Sequence, residues 1–230
     1  MVRTLLRQLS TILILAGLLL LIDVGLTLVW QEPVSSLYAQ WRQDALADDL
    51  EELSRPELRP AEVEALKRLP LDKDRAAFHA RALTRRTDTG DPVGRIRIPE
   101  IDVNKVVVEG TDGGSLRKGP GHYPETPLPG IRGTVAIAGH RTTYGAPFRD
   151  LDKLERGDTI TLEMPYGRFD YRVEKEQIVD PSATYVTKRV GYDRLVLTAC
   201  HPKYSAAQRI VIFARFQRAT QLAFWTSVRT

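Results

Sequence analysis

Two kinds of hydrophobic pattern divide this chain. Residues 9–30, LSTILILAGLLLLIDVGLTLVW, form one apolar run with Asp23 as its single charge. That length suits a helix crossing a hydrocarbon core about 30 Å thick. An acid at the centre of a span costs roughly 2.5–3.5 kcal/mol. More than a dozen Leu, Ile and Val residues, at about −0.3 to −0.6 kcal/mol each, outweigh it. Arg3 and Arg7 precede the run, while Trp30, Gln31 and Glu32 end it. The positive-inside rule therefore expects residues 1–8 in the cytoplasm, a transmembrane helix at 9–30 and the remainder outside. A cleaved signal peptide is the competing reading, but no small-residue cleavage site promptly follows the apolar run.

Residues 31–92 show a different, weaker pattern. They are rich in Asp, Glu, Arg and Ala and are punctuated by Pro56, Pro60 and Pro70. Leu46, Leu50 and Leu53 recur at helical spacing and predict a helix before Pro56, with shorter helices at 61–69 and 73–86. The stretch reads as an extracellular, partly helical spacer, and His79 within it as a solvated residue. From residue 93 the period changes again. RIRIPEIDV, NKVVVEG, GTVAIAG, DTITLEM, RFDYRVEKEQIV, RLVLTAC and RIVIFARF are short segments separated by turn residues such as Asp112-Gly113-Gly114 and Pro129-Gly130. Seven or eight such strands predict an all-β domain, closed or sandwiched, over residues 93–217, with 218–230 as a tail.

Composition narrows the function. The chain of 230 residues is 43% hydrophobic and 27% charged, which suits a globular protein. Its net charge is +4 with basic and acidic residues interleaved, so no basic face for nucleic acid is expected. A single cysteine, Cys200, excludes an internal disulfide and a multi-thiolate metal centre. No carboxylate cluster suggests calcium. Neither a metal nor a cofactor is expected.

Cys200 ends the apolar run RLVLTAC, and His201-Pro202-Lys203 follows at once. Proline cannot continue a central strand, so the thiol belongs at a strand end beside a loop, where rigid elements deliver functional groups. The next β-branched run opens with Arg209. Two adjacent antiparallel strands would hold thiol and guanidinium together, and a fixed guanidinium stabilises the oxyanion formed when a thiol attacks an amide. A cysteine nucleophile also needs a proton partner. His140 ends the strand GTVAIAG and opens a polar loop, mirroring the placement of Cys200. His122 lies in the Gly/Pro-rich run KGPGHYPETPLPG, and His201 points to the opposite strand face from its neighbour. Placement favours His140 over His122.

RIRIPEIDVNKVVVEG, LRKGPGHYPETPLPG, GTVAIAGHRTTYGAPFRDLDKLERGD, MPYGRFDYRV and LTACHPKYSAAQRIVIFARF together resemble a class E sortase, from about Gly94 to Phe216. The resemblance implies a closed eight-stranded sortase β-barrel behind one membrane anchor. It implies a cysteine transpeptidase that cuts a Leu-Ala-x-Thr-Gly sorting motif between Thr and Gly. The acyl group then passes from the thiol to an amine on a cell-wall precursor or pilin. Sorting-motif proteins, that acceptor and membrane lipid are the implied partners. Cys200, His140 and Arg209 fall on the family's catalytic residues, and Tyr123 on a tyrosine associated with the motif's second residue. Thr198 and Ala199 are further candidates for substrate binding. Where the family has Thr-Leu-x-Thr-Cys, this chain has Val196-Leu197-Thr198-Ala199-Cys200, so the hydroxyl lost at Ala199 is expected to bear on substrate positioning. A cell-wall cysteine hydrolase and a non-catalytic anchored β-module are the alternatives.

Overall fold

A computed structural model describes residues 2–30, 33–54, 64 and 72–220. Helix α1 (Val2–Trp30) contains the apolar run, and within it Arg3–Gly25 is long and apolar enough to cross a bilayer. Its side chains from Leu5 to Val24 are almost all exposed, as a lipid-facing helix requires. Helix α2 spans Pro33–Leu53 and α3 spans Asp72–Arg86. The short helix expected at 61–69 and the tail beyond Thr220 lie outside the described residues, apart from Glu64.

Eight strands follow: β1 (Pro92–Ile98), β2 (Val103–Glu109), β3 (Gly121–His122), β4 (Thr134–Ala138), β5 (Thr159–Met164), β6 (Gly167–Val179), β7 (Arg194–His201) and β8 (Gln208–Thr220). They close into a barrel in the order β1-β2-β3-β4-β7-β8-β6-β5. Closure leaves no free sheet edge, which is how an all-β domain of this size avoids edge pairing. The expected segment RIRIPEIDV is divided by a single 3-10 turn at Pro99–Ile101, because Pro99 cannot donate to the ladder. Two elements have no clear local signal. Strand β3 is only two residues long, and α4 (Gly113–Lys118) occupies the sequence read as a turn. Asp112 converts that turn into a helix start by accepting from the N–H groups of Gly114 and Ser115.

Strand alternation divides the barrel wall into two faces. Inward residues of β4, β7 and β8, including Val135, Ile137, Leu195, Leu197, Ala199, Ile210 and Ile212, fill the main core. Outward residues Ala136, Val196, Val211 and Phe213 form a second apolar layer, covered by Val179, Val186 and Ala183, with Tyr123 packed at its margin.

The region read as a spacer packs onto this barrel. Leu46 and Leu50 of α2 cover Val106 and Val108 on the outside of β2. Gln43 replaces a missing strand there: its Oε1 accepts from Val106 N–H at 2.7 Å, and its Nε2 donates to the carbonyls of Val106 (3.0 Å) and Lys118 (2.9 Å). Buried backbone groups on an unpaired stretch need such a partner. Ala80 and Leu83 of α3 join the main core. His79 is half-buried rather than solvated, with its ring stacked on Tyr166 at 6.1 Å.

Candidate active site

Strands β4 and β7 run parallel, with Ala136 opposite Val196, Ile137 opposite Leu197 and Ala138 opposite Thr198. The pairing continues past β4, where Gly139 N–H donates to Thr198 O at 3.0 Å. Because the strands are parallel and in this register, His140 and Cys200 stand at the same barrel end, each two residues beyond the last paired position of the β4–β7 ladder. On the other side of β7, antiparallel β8 sets Arg209 directly across from Cys200. Directly opposed residues in an antiparallel pair have Cα atoms about 4.5–5.5 Å apart and side chains on one face. That face is the outer one, since the flanking positions 199 and 210 belong to the interior core. The pairing of three neighbouring strands thus brings positions 140, 200 and 209 to one end of the barrel.

The local chemistry of each group differs. Cys200 is partly exposed. The His140 Nε2 is buried and has no hydrogen-bond partner among the described residues. Burial first, and the positive charge of Arg117 second, hold the His140 imidazole below its ordinary pKa, so the neutral ring is favoured. The Arg209 Nη1 donates to the carbonyls of Ala206 (3.0 Å) and Gln208 (2.9 Å) and so rests against its own β7–β8 loop. Phe148 N–H donates to His140 O at 3.1 Å, folding the loop after the histidine back beneath it.

Tyr123 and Thr198 share a hydroxyl–hydroxyl hydrogen bond of 3.0 Å beside the apolar layer, two residues from the thiol. Ala199 requires a correction. Its methyl is buried in the barrel core, on the opposite face from Thr198 and Cys200. The side chain at 199 therefore faces away from the wall that carries Thr198 and Cys200. His122 is buried, with Nδ1 2.8 Å from Glu109 Oε2 and Nε2 3.1 Å from Thr126 Oγ1. It ties the Tyr123 loop to β2. His201 sits near Arg141, with Nδ1 3.5 Å from Arg141 Nη1.

Arg141 was not singled out by sequence, yet it is the most heavily bonded residue near the site. Its side chain is 2% exposed. Nε donates to Arg149 O (2.7 Å), Nη1 to Cys200 O (3.3 Å), and Nη2 pairs with Asp152 (2.9 Å). The residue after His140 thus fastens the His140 loop to the strand end bearing Cys200. A charged residue beside a candidate imidazole was the one available signal.

A closed barrel with cysteine, histidine and arginine at the ends of three adjacent strands defines a class of cysteine-dependent acyl-transfer enzymes. The sequence matches the family described as the sortase domain over residues 96–217. It is 35% identical to sortase D of Bacillus subtilis over 147 residues, covering 62% of this chain and 69% of that protein. It is 29% identical to sortase SrtE1 of Streptomyces coelicolor over 148 residues, covering 56% of this chain and 41% of that protein. The fold superposes on sortase E of Streptomyces avermitilis with a TM-score of 0.54 at 34% identity, covering 58% of this chain and 93% of that one. It also superposes on a Clostridium perfringens sortase D5 transpeptidase with a TM-score of 0.62 at 22% identity, covering 77% and 99%. This chain belongs to the sortase family, and it is a cysteine transpeptidase.

Proposed function

We propose that this enzyme cleaves a Leu-Ala-x-Thr-Gly sorting motif between Thr and Gly and transfers the Thr acyl group to an amine of a peptidoglycan precursor or pilin. The in-register, parallel pairing of β4 with β7 carries this reading, because it brings the ends bearing His140 and Cys200 to one place. His140, neutral at rest, takes the thiol proton as the Cys200 sulfur attacks the Thr carbonyl carbon, and the developing oxyanion is met by Arg209. For this the guanidinium exchanges its bonds to the carbonyls of residues 206 and 208 for the oxyanion, a rotation within its own side chain. The C–N bond to Gly then breaks as the protonated imidazole of His140 gives its proton to the leaving amine, and a thioester on Cys200 remains. An acceptor amine attacks that thioester, loses a proton to His140 and releases the thiolate. Tyr123 and Thr198, linked through their hydroxyls, line the approach to Cys200 and are assigned to motif recognition. Ala199 contributes backbone only.

Helix α1 is the single membrane anchor in this reading. Arg3 and Arg7 hold its N-terminus in the cytoplasm, and residues 31–230 lie outside. Relatives named sortase D and sortase E both resemble the chain, so class E is tested through the motif. The full chain in detergent micelles is incubated with Leu-Ala-x-Thr-Gly and Leu-Pro-x-Thr-Gly peptides and an amine, and products are read by mass spectrometry. The Ala peptide is expected to be cut after Thr and joined to the amine, faster than the Pro peptide. Cys200→Ala and His140→Ala should abolish transfer, and Arg209→Ala should slow it about 100- to 1,000-fold. Water as the only acceptor at high amine concentration would make the enzyme a hydrolase, and transfer by Cys200→Ala would remove the thiol from the chemistry.

A further inference from the structure

The loop that follows His140 is held in an unusual conformation by a distant part of the chain. Tyr144, Gly145 and Ala146 all have positive φ, at 50°, 72° and 39°. For Tyr and Ala this backbone costs on the order of 1–3 kcal/mol per residue and persists only where the surroundings impose it. Part of the constraint comes from helix α2. The Ser35 Oγ accepts from Tyr144 N–H at 3.2 Å, more than a hundred positions away in sequence. The Tyr38 ring meets the Tyr144 ring edge-on at 6.5 Å, and the buried Ala39 methyl lies 3.5 Å from where a Cβ on Gly145 would stand. Helix α2 is itself fixed to the barrel by Gln43, Leu46 and Leu50.

The consequence falls on the imidazole. The Tyr144 ring lies 5.1 Å from the His140 ring, tilted by 40°, and the Arg117 guanidinium stands 5.7 Å from the Tyr144 ring centre. Beneath this arrangement the His140 Nε2 is buried and has no hydrogen-bond partner among the described residues. We propose that Tyr144 is a positioning residue for His140, seated on the imidazole by α2, so that the helix following the membrane anchor sets the ring's orientation and its access to water. This rests on the reading of His140 as the proton partner. Tyr144 touches neither the thiol nor the scissile bond in that mechanism; it acts through the histidine.

The charged and titratable groups that act on the His140 ring come from two elements: Arg117 of α4 through its charge, and Tyr144 of its own loop through its ring. The Arg141 charge is paired with Asp152. Burial is the larger cause of the low His140 pKa and Arg117 the smaller. Removing the ring that contributes burial should therefore let the imidazole protonate at higher pH.

The test uses the full chain in detergent micelles with histidine labelled at Cε1. The His140 resonance is identified by its loss in His140→Gln and then titrated by NMR. Tyr144→Phe keeps the ring and is expected to leave the titration unchanged. Tyr144→Ala and Ser35→Ala are expected to move it upward toward the ordinary value of 6.5, the second by less. The limb of the kcat/KM profile that reports His140 should move in the same direction, with kcat altered more than KM. An unmoved His140 titration in both Tyr144→Ala and Ser35→Ala, in variants that unfold at the wild-type temperature, would overturn the proposal. The NMR readout does not depend on turnover. If His140→Ala still transfers acyl groups, the reading of His140 fails while the Tyr144 contact stands or falls on its own titration.

Discussion

The Arg141 guanidinium donates to the backbone carbonyl of Cys200, so the residue after the histidine holds the end of the strand that carries the thiol. The same fork reaches Arg149 O and Asp152. Histidine loop and cysteine strand, joined by the β4–β7 ladder and by the Lys203–Asp150 ion pair at 3.0 Å, gain a further fastening made by a buried cation.

Arg141→Met should break that fastening. Losing one member of a buried ion pair costs about 3–5 kcal/mol. Asp152 is 42% exposed and can be rehydrated, so the loss here is expected at the low end, about 3 kcal/mol, read by chemical denaturation. A displacement of about 1 Å between nucleophile and proton partner should lower kcat/KM on the order of 100-fold. Asp152→Asn keeps an amide oxygen for the guanidinium but leaves the buried Arg141 cation without its counter-charge, so it should also destabilise the fold, by about 1–3 kcal/mol.

Gly139→Ala tests the tightness of the turn into His140. A Cβ there would stand 2.5 Å from Phe148 Cδ2 and 2.8 Å from Cγ, and Phe148 is fully buried. Overpacking of this kind costs about 1–3 kcal/mol. Activity should fall further than stability, because the ring that must give way lies under the His140 loop. Gly191→Ala meets nothing within 4 Å and serves as the control, with thermal unfolding and turnover near wild type.

Ala199→Thr separates two views of the strand before the thiol. Were position 199 a substrate contact, the added hydroxyl would raise activity. The methyl instead faces the core beside Ile210, so the hydroxyl is buried among apolar groups at a cost of about 1–3 kcal/mol. Lower stability with no gain in kcat/KM is the expected result.

Gln43→Leu removes the side chain that completes β2. Three hydrogen bonds to backbone groups are lost, leaving Val106 N–H and O unsatisfied, for about 2–4 kcal/mol in total. Faster amide exchange at Val106 should accompany the fall. Exchange at Val196, on the far wall, should rise only as far as global stability drops.

Acid should loosen the end of β8. Asp170 is largely buried, and burial alone would raise its pKa, but bonds from Arg218, Arg168 and Thr161 outweigh this and hold it below 3.8. A carboxylate with a depressed folded-state pKa adds stability that is present above its unfolded value and is lost as pH falls through the folded one. Asp170→Asn should therefore be less stable than wild type at neutral pH, with the gap closing as pH falls below about 3.8.

The two strand-end residues were readable in sequence because each closes a short apolar run before a polar loop: GTVAIAG before His140 and RLVLTA before Cys200. Arg209 was readable as the first residue of the next β-branched run. What local pattern does not carry is the parallel register of β4 on β7, which joins positions 60 residues apart and brings those ends together. The inward face of Ala199 was not legible, since burial on both faces of β7 erases the alternation that would have shown it. Helix α2 was read as part of a spacer because its pattern is ambiguous. Ala39, Leu46 and Leu50 are buried, while Leu37 and Trp41 are exposed, so the apolar residues do not lie on one stripe. Arg141 was missed for a similar reason: its partners come from two separate segments, 149–152 and 200–201, and its burial is created by the fold.

Trapping the acyl-enzyme tests the central claim most directly. The full chain in micelles is mixed with a Leu-Ala-x-Thr-Gly peptide and no amine, quenched in acid, and its intact mass and proteolytic fragments are measured. The expected result is a mass gain equal to the fragment ending at Thr, mapped to Cys200 and absent in His140→Ala. A wild-type enzyme whose thiol is alkylated by iodoacetamide yet never carries that fragment, or an adduct on any other residue, would contradict the account.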